Sequence, residues 1–243
     1  MKKLIATFLL VAITQCNGDQ ERPEVVNKLR AIGVASTPLA SAPSTSASQN
    51  TASLTFHLVL PLAKTIDSVE NYVDTKSPYA AQIPLTINTA SASYSDYSNL
   101  RHYTITADAA IPEVIFLPGE LFRSFRYALK VTADKEEEII VGNLVVYPSD
   151  SEELDWKGAA ITISSPVANS AISGETQLKA KINKSIDENL RVSWFASNGE
   201  IKNRRAAETT WDEYSAGTQT LILTVRGRKS GDFQLQIIDL TTQ

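Results

Sequence analysis

Leu54, Phe56, Leu58 and Leu60 are apolar at every second position, with Thr55, His57 and Val59 between them. Successive side chains of a strand point to opposite faces, so this period of two specifies a β-strand with one face buried. Further strand-like runs are expected at 82–87, 101–106 and 114–117. Phe125, Tyr127, Leu129 and Val131 then alternate again, Asp134-Lys135 makes a turn, and 139–147 returns. A second group starts near Trp156, with strands expected at 160–163, 177–182, 190–196, 209–211, 219–226 and 233–238. Short runs separated by turn residues at this spacing predict antiparallel sandwiches. The chain therefore reads as all-β.

A repeat divides the strands in two. Ala128-Leu129-Lys130-Val131, then Lys135 and Ile139, reappears 94 residues later as Ile222-Leu223-Thr224-Val225, then Lys229 and Phe233. That offset is close to the ~100 residues of an immunoglobulin-like sandwich. The first domain is expected over 28–148 and the second over 158–243, with an acidic linker at 149–157. Within the first, 35–53 is almost wholly Ala, Ser, Thr and Pro, a composition that predicts a disordered insertion.

The start of the chain sets its address. Met1-Lys2-Lys3 is a short positive region, and positions 4–13 are apolar or small except for Thr7. The run is too short to span a bilayer, which takes ~20 apolar residues, and fits a secretory signal peptide over 1–15. It ends in Ile13-Thr14-Gln15-Cys16, which resembles the lipobox of bacterial lipoproteins. The resemblance implies cleavage before Cys16, acyl chains on that residue and membrane attachment through them, with 16–27 as a lipidated tether. Asn17 follows the cysteine where an aspartate would signal inner-membrane retention, so the implied location is the outer membrane.

Cys16 is the only cysteine, so no internal disulfide is available and the folded part must be stabilised by its cores. At 43% hydrophobic residues it can form them. Removing Lys2 and Lys3 takes the formal charge from -4 to -6. A mildly acidic chain has no field to attract nucleic acid.

The second group also reads Val192-Ser193-Trp194-Phe195-Ala196, then Thr210-Trp211, then Leu223-Thr224-Val225-Arg226 before Gly227-Arg228-Lys229-Ser230-Gly231. This resembles the immunoglobulin-like and PKD-like modules of bacterial surface lipoproteins. The resemblance implies two antiparallel immunoglobulin-like β-sandwich domains in tandem after a lipoprotein signal peptide, with Trp194 as a core anchor on the third strand. Leu29, Ile32 and Pro38 likewise resemble the opening strand of such proteins.

Catalytic patterns are missing: the sequence holds no HExxH, GxSxG, P-loop or CxxC motif. No catalytic residue, metal ligand or cofactor is expected. His57 and His102 fall on the face opposite the apolar residues and are read as solvated strand histidines. Asp67, Glu70 and Asp74, with Lys64 and Lys76 flanking, read as a solvated acidic loop rather than a calcium site. Two surfaces are candidates for ligand contact. One is the aromatic stretch of Tyr94, Tyr97 and Tyr103, against which stands the favoured reading that Tyr103 is core and the others decorate a loop. The other comprises the basic loops with Lys202, Arg204, Arg205 and Arg228, expected to share one rim with Asp187 and Glu188, which neutralise them in water. The function expected is that of a non-catalytic envelope lipoprotein with structural or protein-protein contacts; the alternative is an adhesin module that binds a surface glycan.

Overall fold

The computed structural model describes residues 25–36, 39–40, 50–72, 83–151, 159–184, 190–227 and 233–243. These residues form sixteen strands and no helix. The first eight are β1 (Arg30–Ala35), β2 (Leu39–Ala40), β3 (Asn50–Pro61), β4 (Ile66–Asn71), β5 (Leu85–Asp96), β6 (Leu100–Ile111), β7 (Arg123–Ala133) and β8 (Glu136–Tyr147). The second eight are β9 (Ala159–Ser165), β10 (Ala171–Ile172), β11 (Thr176–Lys184), β12 (Leu190–Ala196), β13 (Glu200–Ile201), β14 (Glu208–Asp212), β15 (Gly217–Gly227) and β16 (Phe233–Thr242).

The sheets run β1-β3-β6-β5 and β2-β8-β7-β4 in the first half, and β9-β11-β14-β13 and β10-β16-β15-β12 in the second. Adding eight to each strand number converts the first pair of sheets into the second. Pairings between strands are antiparallel except β2 with β8 and β10 with β16, which are parallel in both halves. Each half is an immunoglobulin-like sandwich. The 94-residue repeat seen in the sequence is the match of the β7–β8 hairpin to the β15–β16 hairpin.

Each sandwich has its own core. Leu54, Phe56, Leu58 and Leu60 of β3 are fully buried and face Tyr127, Leu129 and Val131 of β7. Phe56 meets Tyr127 edge-on, with ring centroids 5.8 Å apart and planes at 85°. Burying each such side chain contributes roughly 1.5–3 kcal/mol. The second core holds Trp194 and Trp211, both fully buried, among Leu178, Leu221, Leu223 and Leu240. Each indole N–H has an acceptor: Trp194 Nε1 donates to the Ala206 carbonyl and Trp211 Nε1 to that of Asn198, both at 2.9 Å. Trp194 is thus the strand-β12 core anchor that its position implied.

A third apolar cluster joins the two sandwiches. Ile32 of β1, Val59 of β3 and Leu100 of β6 pack with Phe195 of β12 and Ile222 of β15, and Val26 joins them. The outer face of sheet β1-β3-β6-β5 is therefore packed against the outer face of sheet β10-β16-β15-β12. Two backbone links reinforce this. Val25 forms a parallel bridge with Ala196, and the Val26 N–H donates to the Ala196 carbonyl at 2.9 Å.

Several expectations change. Val25 and Val26, placed in the tether, dock on β12. The stretch 35–53 is not irregular at its ends, since β1 runs to Ala35, Leu39 and Ala40 pair with β8, and β3 begins at Asn50. Ala52 and Leu54 are buried there, so the strand gains a core face as soon as it reaches β6. Positions 114–117 form no strand: Pro112 and Pro118 bracket them, and proline cannot donate to a ladder. The strand expected at 82–87 is offset and much longer, because Ser91 maintains the connection where β5 is irregular. Its hydroxyl donates to the Asn88 carbonyl at 2.7 Å and accepts from the Thr106 N–H at 2.9 Å.

Candidate functional site

The three tyrosines do not form one surface, in keeping with the reading that places Tyr103 in the core. Tyr103 is 4% exposed and belongs to the first core, where burial pushes its phenol up to about 12. Tyr94 sits opposite it on β5 and is 45% exposed; its ring packs on Tyr103 at 4.8 Å, and the Arg101 guanidinium lies 5.2 Å from its centroid. Tyr97 occupies the β5–β6 turn, which docks on the second sandwich. The Ser98 N–H and hydroxyl donate to Asp239 at 3.1 and 2.8 Å, and the Asn99 amide donates to the Thr218 carbonyl. Burial, then the Asp239 charge, raises the Tyr97 pKa.

The histidines are also placed differently from expectation. His57 and His102 lie on the outer face of β3 and β6, but the second sandwich covers that face. Their rings are stacked 5.3 Å apart, with His57 Nδ1 3.1 Å from His102 Nε2, and His57 packs on Phe233 at 4.9 Å. Burial, then the neighbouring His102, lowers the His57 pKa to about 4; burial also lowers that of His102. Both imidazoles are neutral at pH 7, one donating to the other. They are parts of the junction rather than solvated side chains.

Asp67 and Glu70 lie on β4, Glu70 is 3.5 Å from Lys130, and Asp74 lies outside the described residues. No group of three potential metal ligands occurs among the described residues.

The basic residues divide. Lys202, directly after β13, pairs with Glu175 and lies 3.5 Å from Asp212. Arg228 lies outside the described residues, as do Cys16, Asp187 and Glu188. Arg204 and Arg205 line a cleft of about 350 Å³ between the two sandwiches, with Arg191 of β12 and Arg226 of β15. The backbone N–H of Trp194 donates to the Arg204 carbonyl at 2.9 Å, which holds this turn along the edge of β12. Arg191 and Arg226 are directly opposite each other in the β12–β15 ladder, followed by Ser193 opposite Thr224. The other wall comes from the first sandwich: Gly33 and Val34 of β1, and Ile139 and Val141 of β8. No carboxylate is among the described residues that line it.

Arg191 escaped sequence reasoning, and Arg226 was read only as part of a basic loop with Arg228, because Arg191 and Arg226 are thirty-five residues apart. The legible signal was phase. Both occupy the outward phase of strands whose neighbouring outward positions, Phe195 and Ile222, are apolar.

No protein-family profile matches the chain, and no curated protein matches it. Among solved structures it is similar to the fibronectin(III)-like modules of Clostridium thermocellum CbhA, at 13% identity over 88% of this chain and 94% of that one, with a TM-score of 0.32. It is similar also to the Ig1-2 module of the Drosophila receptor protein tyrosine phosphatase DLAR, at 8% identity over 89% and 100%, with a TM-score of 0.33. The D00-D0 domain of Intimin matches at 9% identity over 88% and 98%, with a TM-score of 0.29. The class defined by the sheets is a tandem immunoglobulin-like β-sandwich protein.

Proposed function

We propose that the chain is a non-catalytic envelope lipoprotein, anchored in the outer membrane through acyl chains on Cys16, with a structural or protein-contact role. The observation that carries the reading is the third apolar cluster. It joins the two sandwiches face to face, so the folded part is suited to hold a surface at a fixed geometry rather than to open and close around a reaction. The leader, Lys2 and Lys3 followed by an apolar run ending at Cys16, supports the anchor.

The experiment is fractionation of cells carrying the native chain or Cys16→Ser. The native chain should sediment with outer membranes and resist a salt wash, while the variant, still β-rich by circular dichroism, should become soluble. A variant that remains in salt-washed membranes would place the anchor elsewhere and end this reading.

A second reading, binding of a surface glycan, no longer draws on the tyrosines. Its support is now the arginine-lined cleft.

A further inference from the structure

We propose that the loop between β6 and β7 is a docking site for a segment of another protein in which a large apolar side chain stands next to a lysine or arginine. This rests on the protein-contact reading, to which it gives a surface and a kind of partner, and it does not depend on the lipid anchor.

The loop, 112–122, starts about 40 Å along β6 from the turn that docks on the second sandwich. Three of its large apolar residues face water: Leu117, Leu121 and Phe122 are 68%, 77% and 53% exposed. The backbone that presents them is held in place. Pro118 and Gly119 take the central positions of a tight turn, with Gly119 at φ +85° and the Glu120 N–H donating to the Leu117 carbonyl at 3.0 Å. The Glu120 carboxylate accepts from the Leu117 N–H at 3.1 Å and from the Arg123 guanidinium at 2.8 and 2.6 Å. Arg123 also donates to the Ile115 carbonyl at 3.2 Å and lies 5.9 Å from the Phe116 ring centroid. These polar groups satisfy one another, and the apolar side chains are what the loop presents. A clustered apolar patch on a monomer marks an interaction site, and a loop fixed in advance loses little conformational entropy when a partner arrives.

Beside these residues is a cavity of about 460 Å³, walled by Phe116, Leu117, Leu121, Phe122 and Tyr147. The Phe122 and Tyr147 rings stand 6.2 Å apart at 54°. That volume takes one or two large side chains but no folded surface. Charge selects among the occupants. Glu120 and Asp150 line the cavity, with no lysine or arginine among the described lining residues. Arg123 matches the charge of Glu120, so the exposed carboxylate of Asp150 leaves the lining net negative. A two-fold pairing of copies of this chain would bring one Asp150 toward the other. An anionic lipid surface would meet the same repulsion. A cationic residue next to an apolar one suits both the carboxylate and the cavity.

The test is panning of a random dodecapeptide library, displayed on phage, against the immobilised full chain, followed by titration of the selected peptides. Selected sequences should place a leucine or an aromatic residue next to a lysine or arginine. Leu117→Ser with Leu121→Ser, both changes at exposed side chains, should weaken their binding at least tenfold with an unchanged melt. Asp150→Asn should weaken it several-fold and reduce its sensitivity to salt. Val167→Ser, which removes an equally exposed apolar side chain from the other sandwich, should leave it unchanged. Selection of peptides without a cation, binding that survives the loop changes, or no enrichment over the double-serine chain would overturn the proposal. So would self-association in sedimentation, or flotation of the Cys16→Ser chain with phosphatidylethanolamine vesicles, if the two serine changes abolish it. The Cys16 fractionation is independent of all these outcomes, so the anchor reading and this one fail separately.

Discussion

Gly33 of β1 lies flat against the Phe233 ring of the other sandwich, so closely that any Cβ at position 33 would overlap the ring carbons. Phe233 in turn covers His57, the partner of Gly33 across the β1–β3 ladder. The missing side chain is therefore a condition of the docking, since the ring occupies its place. Gly33→Ala should cost about 1–3 kcal/mol, the usual range for overpacking a filled site. Phe233→Ala should remove much of that penalty, so the double variant should be more stable than the sum of the two single changes indicates. Equilibrium urea unfolding of the four proteins checks it; strict additivity would mean that the ring does not meet position 33.

The histidines give the junction a pH dependence with a definite sign. In the unfolded chain His57 takes a proton near its ordinary value of 6.5, whereas in the folded chain it does so only near 4. Between those values the unfolded state holds more protons, so stability is full above pH 6.5 and declines as pH falls toward 4. The loss from this residue is about 3 kcal/mol, and burial of His102 adds in the same direction. His57→Phe should flatten the dependence over this window. Urea midpoints at pH 7.5, 6, 5 and 4 measure it, and an equal decline in the variant would move the cause to other groups.

The core of each sandwich was readable because burial on one face leaves a period of two. The junction was not, because burial on both faces erases it. Leu58-Val59-Leu60 and Leu221-Ile222-Leu223 are continuous apolar runs, and their central residues are the ones that join the sandwiches. Such a run fits a strand covered on both sides but does not say by what. His57 was misread for the same reason: facing away from one core was taken as facing water. The arginine cleft was less legible still, as it is assembled from β1, β8, β12, β15 and the turn after β13.

Trp194 should be among the most costly residues to truncate. It is fully buried, and its indole N–H satisfies the Ala206 carbonyl. Trp194→Ala should destabilise by about 3–5 kcal/mol, combining lost burial with the cavity left behind. The effect belongs to the second core, so hydrogen exchange should rise first in β12 and β15 and later in β3 and β7. Simultaneous loss of protection in both sandwiches would mean that they unfold as one unit.

Asp239 fixes the β5–β6 turn to the second sandwich. Its carboxylate accepts from the Ser98 N–H, the Ser98 hydroxyl and, at 2.6 Å, the Thr220 hydroxyl, so one side chain ties β16 to β15 and to the other domain. Removing an acceptor that serves three donors costs more than removing one donor, because the remaining groups must find water. Thr220 is fully buried, while the Ser98 bonds are exposed and can be replaced by solvent. Asp239→Ala should therefore cost about 1–3 kcal/mol, mainly through the unsatisfied Thr220 hydroxyl, whereas Ser98→Ala should cost under about 1 kcal/mol. Asp239→Asn keeps one acceptor oxygen and should fall between them. The docking itself predicts a further difference: amide exchange at Ser98 should accelerate in Asp239→Ala, while the amide of Leu129, deep in the first core, should be unaffected. An unchanged rate at Ser98 would show that the turn is held by Asn99 and the apolar cluster, with Asp239 acting only within its own sheet.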